Sequence, residues 1–154
     1  MIEDKLTSLG IKLPEALLPQ GSYTQVIITG NLAFLSGQIP IDPGVLPLQV
    51  KYKGKVGKDI SIEDAKNAAG LCVINGLAQL KTALQSLDRI KKIVKMSGFI
   101  NCEASFTEHP KVMNGASDLL LELFGEKGRH TRIAIGTNSL PLDSAVEVDM
   151  VVEI

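Results

Sequence analysis

Two charges stand inside stretches that otherwise read as buried strands. Arg132 opens Arg132-Ile133-Ala134-Ile135-Gly136, and Glu147 interrupts Ala145-Val146-Glu147-Val148-Asp149. Taking either side chain out of water costs several kcal/mol unless a partner or a ligand compensates. The chain keeps both, so chemistry is expected at these two positions. The remaining reactive residues offer less. Cys72 and Cys102 form no CxxC pair and have no histidine close to either, so two reduced, buried thiols are expected and no metal site or redox motif is indicated. His109 and His130 read as a helix-start residue and a surface residue. Lys51, Lys53, Lys55 and Lys58 read as a solvated loop edge.

The elements that must position these residues follow from pattern. Ile2, Leu6 and Leu9 before Gly10 suit a short amphipathic helix with a glycine stop, and residues 13–21, with Pro14 and Pro19, an extended arm. Tyr23 to Thr29 is rich in β-branched residues and joins Leu32 to Ser36 through Gly30-Asn31, a β-hairpin. Residues 37–60 read as a long exposed loop with a short strand near Val50.

Ser61-Ile62-Glu63-Asp64 resembles a capping box, and Ile62, Ala65, Ala69, Val73, Leu80, Leu84 and Leu87 then keep helical spacing. Gly70 and Gly76 let that helix lie close to a sheet. Ile90 to Ile100 is a strand. A second helix opens at Pro110, buries Val112, Ala116, Leu119, Leu120 and Leu123, and stops at Gly125. Arg132–Gly136 and Val146–Ile154 complete the strands. Taken alone, these last two look like a hairpin. The order is that of an α+β fold, a mixed sheet with two helices packed on one face. The other face stays bare and apolar, which favours an oligomer.

At 154 residues the chain fits one domain, residues 1–154, of which 1–20 form the N-terminal helix and arm. A net charge of -1 provides no broad field for phosphate backbones or anionic membranes, and 4% aromatics with no tryptophan leave no stacking platform for single strands. The acidic start, with Glu3 and Asp4, is unlike a signal peptide, and no apolar run spans a bilayer, so a cytoplasmic protein is expected.

Gly21-Ser22-Tyr23, Ser36-Gly37-Gln38-Ile39-Pro40, Asn114, Thr131-Arg132, Leu140-Pro141 and Val146-Glu147-Val148 resemble, in that order, the markers of the RidA/YjgF family. This is the family also labelled endoribonuclease L-PSP. The resemblance runs from about Gly21 to Ile154, and the separation of Arg132 from Glu147 is its strongest part. It implies a chorismate-mutase-like fold, a homotrimer, and binding sites in clefts between adjacent subunits. It also implies that another strand lies between the last two.

The activity implied is that of a hydrolase, an imine deaminase that converts reactive 2-imino acids, or related enamines, to 2-keto acids and ammonia. Carried onto this chain, the resemblance makes Arg132 the bidentate anchor of a substrate carboxylate, which lysine could not mimic. Glu147 becomes the general base for the attacking water. Tyr23 closes the pocket, and Ser36, Gly37, Asn114 and Ala134 line it. Neither a metal nor an organic cofactor is implied, because a protonated imine is already electrophilic.

Bland readings stand beside these. Arg132 and Glu147 also suit an ion pair across an interface, Tyr23 plain packing, Asn114 a bond to nearby backbone, and Ser36 a strand end satisfying its own loop. The chain also departs from the family pattern. His130-Thr131 replaces a frequent Pro-Ala before the arginine, and Ala134 a frequent cysteine after it; with the N-terminal segment and longer loop, this marks a branch of about 150 residues. The alternatives to an imine hydrolase are a non-catalytic trimeric module that binds a small carboxylate, and the ribonuclease activity historically attached to the family. The second is disfavoured by the balanced charge.

Overall fold

The computed structural model describes all residues 1–154. A first helix, α1 (Ile2–Ser8), precedes an irregular arm; β1 (Val26–Thr29) and β2 (Leu32–Gln38) follow as an antiparallel hairpin. Its turn requires a left-handed residue, and Gly30 supplies it with φ +58°. After a long connection come α2 (Ile62–Leu84), β3 (Lys92–Asn101), α3 (His109–Phe124), β4 (Thr131–Thr137) and β5 (Val146–Glu153).

The five strands form one sheet in the order β1-β2-β5-β3-β4, in which only β3 and β4 run parallel. β3 therefore lies between the last two strands, so the hairpin suggested by their sequence does not form. The physical reason is burial. Every second residue of β5, from Val146 through Val148 and Met150 to Val152, is buried, which a central strand needs and a second edge strand does not.

Both long helices pack on one face. From α2, Ala65, Ala69, Val73, Leu77, Leu80 and Leu84 are fully buried; from α3, Val112, Met113, Ala116, Leu120 and Leu123. Ser61 caps α2 by accepting from the Asp64 N–H at 3.1 Å. The helix ends at Leu84, one turn before the expected Leu87, because Gln85 takes φ 68°. Leu87 still reaches the core from the short turn that follows. Of the two glycines expected to bring α2 to the sheet, Gly76 does so, lying against Leu35 and Met150. Gly70 instead faces the backbone of α3 at Gly115.

The opposite face carries Ile27, Phe34, Ile133 and Ile135, each 40% or more exposed. The 37–60 connection is less exposed than its composition suggests. Val50 pairs with Ile41, Val56 with Cys102, and both valines are buried. Lys55 leaves the solvated edge expected of it: its Nζ donates to the Asn138 carbonyl at 2.6 Å and to Asn101 Oδ1 at 3.1 Å. No helix is long and apolar enough to cross a membrane.

Candidate active site

Sheet alternation decides where the two charges point. Glu147 sits between buried Val146 and Val148, so it projects from the face opposite the helices. Its neighbour on β3 is Phe99. Arg132 pairs with Met96, which is buried under the helices, and so projects towards them. Within one chain the two charges form no ion pair with each other. They belong to two different places.

The first is a cleft of about 420 Å³ whose lining includes Tyr23, Gly37, Gln38, Leu142 and Glu147. Burial first, and the Asp149 carboxylate second, hold Glu147 above the ordinary carboxylate range. Asp149 is two residues further along β5 on the same face, which is why it is felt. Gly37 is required here by space: a Cβ at that position would overlap the Glu147 carboxylate. The pairing of β2 with β5 shifts register between Leu35 and Gln38, the stretch that contains Gly37. Tyr23 is half exposed, and its hydroxyl accepts from the Gln20 N–H at 3.4 Å.

The cleft is bordered by a strained turn. Leu142 and Asp143 both have positive φ, at 55° and 58°, a conformation that non-glycine residues adopt only when their surroundings enforce it. The enforcing contacts are the Gly54 N–H to the Asp143 carbonyl at 2.8 Å and Asn101 Nδ2 to Asp143 Oδ1 at 3.2 Å. Asn101 is in turn held by Lys55.

The second place surrounds Arg132. Its Nη1 donates to Asn114 Oδ1 at 2.9 Å and to Ser117 Oγ at 3.0 Å. Both hydrogens of that nitrogen are thereby used, while the Nε and Nη2 side of the guanidinium remains free for a two-pronged partner. Ser117 Oγ also lies 3.0 Å from His130 Nε2, and His130 Nδ1 lies 2.6 Å from the Gly128 carbonyl. A carbonyl only accepts, so Nδ1 carries the proton. In the neutral ring Nε2 then accepts from the Ser117 hydroxyl, leaving a Ser117 lone pair for Arg132.

The structure thus gathers Tyr23, Gly37 and Glu147 in one cleft, and Arg132 with Asn114 in another region; Ala134 follows Arg132 on the same face of β4, opposite Gly98. Ser36 is outside the cleft lining and donates to the Thr24 carbonyl at 2.7 Å, the bland reading of that residue. His130 is not a free surface residue but the far end of the arginine network. His109 does start α3, yet its Nε2 lies 3.5 Å from Cys102 Sγ, so a histidine does approach a cysteine. Burial pushes both thiols up, Cys72 strongly, so neither is an activated nucleophile. Sequence reasoning missed Gln38, Asn75, Ser117 and His130. For Ser117 the available signal was its position three residues after Asn114, on the same helical face.

A single mixed sheet with two helices on one face, a carboxylate-bearing cleft and an edge-strand arginine define the class of protein, an α+β fold with a YjgF-like sheet order. The family model described as "YjgF/chorismate mutase-like, putative endoribonuclease" matches residues 3–154. The chain belongs to the YjgF/RidA family. It is 42% identical to Protein TCP17 of Trypanosoma cruzi over 97% of this chain and 91% of that protein. The crystal structure of Atu1372, a protein of unknown function from Agrobacterium tumefaciens, superposes with a TM-score of 0.91 at 42% identity, covering 99% of this chain and 92% of that one. RidA from the Antarctic bacterium Psychrobacter sp. PAMC 21119 shares the fold, with a TM-score of 0.63 at 22% identity over 91% and 94% of the two chains.

Proposed function

We propose that this protein hydrolyses the C=N bond of 2-imino acids, giving 2-keto acids and ammonia, in clefts formed between adjacent copies of a homotrimer. The observation that carries the reading is Glu147: a partly buried carboxylate, held above its ordinary range, in a cleft whose lining contains no lysine or arginine. A carboxylate so placed is a stronger base once ionised, and it has no counter-ion in its own cleft to quench it.

The steps balance without a cofactor. Water adds through oxygen to the carbon of the protonated imine while Glu147 takes one of the water's protons, giving a neutral carbinolamine. Glu147 passes that proton to the amine nitrogen, the C–N bond breaks with its electron pair leaving on ammonia, and Glu147 takes the hydroxyl proton as the carbonyl forms, then releases it to solvent. Arg132 holds the substrate carboxylate through its free Nε and Nη2 edge. Since Arg132 and Glu147 of one copy lie on opposite faces of its sheet, the arginine at a given cleft comes from the neighbouring copy. The apolar face with Ile27, Phe34, Ile133 and Ile135 is the surface that association would cover.

The test is turnover. An imine is generated in situ from alanine by an amino-acid oxidase, and keto-acid formation is followed with and without the protein. Acceleration that is lost in Arg132→Ala and Glu147→Ala supports the hydrolase, and unchanged rates in those variants rule out this site. Cleavage of RNA fits the cleft poorly, because its own lining has no lysine or arginine and the neighbouring copy adds the single Arg132, where a phosphodiester backbone calls for several cations.

A further inference from the structure

Helix α2 carries two amides one turn apart, Asn75 and Gln79, each 6% exposed. Asn75 Nδ2 donates to the carbonyls of Ile39 and Ile41 at 3.1 and 3.2 Å, which holds the long connection. Gln79 Nε2 donates to the Leu17 carbonyl at 2.9 Å, which holds the N-terminal arm. A third amide, Gln38, is equally buried, and its Nε2 donates to the Ser36 carbonyl at 3.0 Å and to Gln25 Oε1 at 2.9 Å. Carbonyls only accept, so all three amides are fixed with nitrogen towards the backbone and oxygen away from it.

The three oxygens have no donor in the protein, and none is sealed from solvent. All three residues line a second lobe of about 280 Å³ that adjoins the Glu147 cleft. The two share Leu17, Gln38, Ile41, Leu48 and Asn75 as common wall. Leu17, Ile41 and Leu48 provide apolar surface, exposed Glu15 adds a carboxylate, and the lining contains no lysine, arginine or histidine.

We propose that this lobe is the side-chain subsite of the enzyme and that it takes an alkyl chain ending in a cationic, donor-rich nitrogen group, a guanidinium above all. The proposal rests on the hydrolase reading of the adjoining cleft. Solvent can reach the three oxygens, so a ligand that excludes solvent from the lobe must bring donors of its own. A hydrocarbon side chain brings none and leaves three buried acceptors unpaired, whereas a guanidinium offers five N–H groups. Glu15 favours a positive charge further. The substrate class is therefore a 2-imino acid with a guanidinoalkyl side chain.

The test is calorimetric titration of the whole protein with two product-like keto acids, 2-oxo-5-guanidinopentanoate and 4-methyl-2-oxopentanoate. The first should bind at least about tenfold more tightly, and Gln79→Met and Glu15→Gln should each shrink that ratio. Equal or weaker binding of the guanidino acid overturns the subsite, as does a preference that survives in both variants. Binding of neither acid overturns the subsite together with the carboxylate site. Turnover of the alanine imine, whose methyl group cannot reach the lobe, separates the two ideas. No turnover with the tail preference intact rejects the hydrolase and supports the subsite; turnover without the preference rejects the subsite alone.

Discussion

Arg132 and Glu147 leave the sheet from opposite faces, with β3 running between their strands. Everything proposed about the site follows from that separation. One chain supplies an anchored cation in one region and a poised carboxylate in another, and a carboxylate-bearing imine needs both. Two copies, meeting along exposed sheet surface, can bring them together.

Glu147 titrates in a range that its burial raises, and this has two consequences of known sign. In the proposed mechanism the ionised form is the base, so the rate should fall as pH drops through the raised value, and Glu147→Gln should lose about 100-fold or more and lack that pH limb. A pH profile of kcat/KM in both proteins checks this.

In stability the raised pKa means that the folded state holds a proton that the unfolded state has released. Stability is therefore lost as pH rises from the ordinary value of 4.5 through the raised one, and the cost is constant above it. Glu147→Gln should match the parent in acid and exceed it in stability near about pH 8. Urea unfolding midpoints across that range decide it.

Gly37→Ala tests the room beside the carboxylate. Its backbone angles are ordinary, so a methyl group costs little there, but it must push the Glu147 carboxylate aside. Activity should drop by about 100-fold, the usual effect of an ångström's misplacement, while the melting temperature changes by a few degrees at most. Equal activity would mean that the Glu147 position is unimportant.

Ser117→Ala removes one of the two acceptors that orient Arg132 and leaves His130 Nε2 without its donor. The expected effect is a KM raised about 5- to 10-fold with a smaller change in kcat, since carboxylate binding is what the arginine supplies. Ser117→Thr keeps the hydroxyl and should restore KM. Steady-state kinetics of the three proteins check it.

Lys55→Met should destabilise the protein by about 1–3 kcal/mol, because the Asn138 carbonyl and Asn101 Oδ1 lose a charged donor. It should also lower activity more than a remote surface lysine such as Lys127 does, since Asn101 braces the Leu142-Asp143 turn at the cleft. Denaturant unfolding and turnover of Lys55→Met beside Lys127→Met give both readings.

Most of the fold was legible because helical spacing in α2 and α3, the Gly30-Asn31 turn and the alternation in β5 are local signals. Strand order was not, because β4 and β5 look like hairpin partners until the bare edge of β3 is counted; only the family resemblance corrected it. At the site, Arg132 and Glu147 stood out since charge inside a strand is anomalous. Asn75, Gln79, Gln38 and Ser117 did not, because an amide or hydroxyl on a helix or strand gives no hint of which backbone it will meet. Lys55 was misread for a related reason: its partners Asn101 and Asn138 are distant in sequence, and composition speaks only of neighbours.

In the proposed enzyme a working site takes Glu147 from one copy and Arg132 from another. Subunit complementation tests it most directly: Arg132→Ala and Glu147→Ala proteins, each inactive alone, are mixed in equal amounts, unfolded, refolded together, and assayed for keto-acid release from the alanine imine. In the proposed trimer, random mixing leaves an intact site at about one position in four, so roughly a quarter of the parent activity should return. Verified mixed oligomers with no recovered activity would contradict the account.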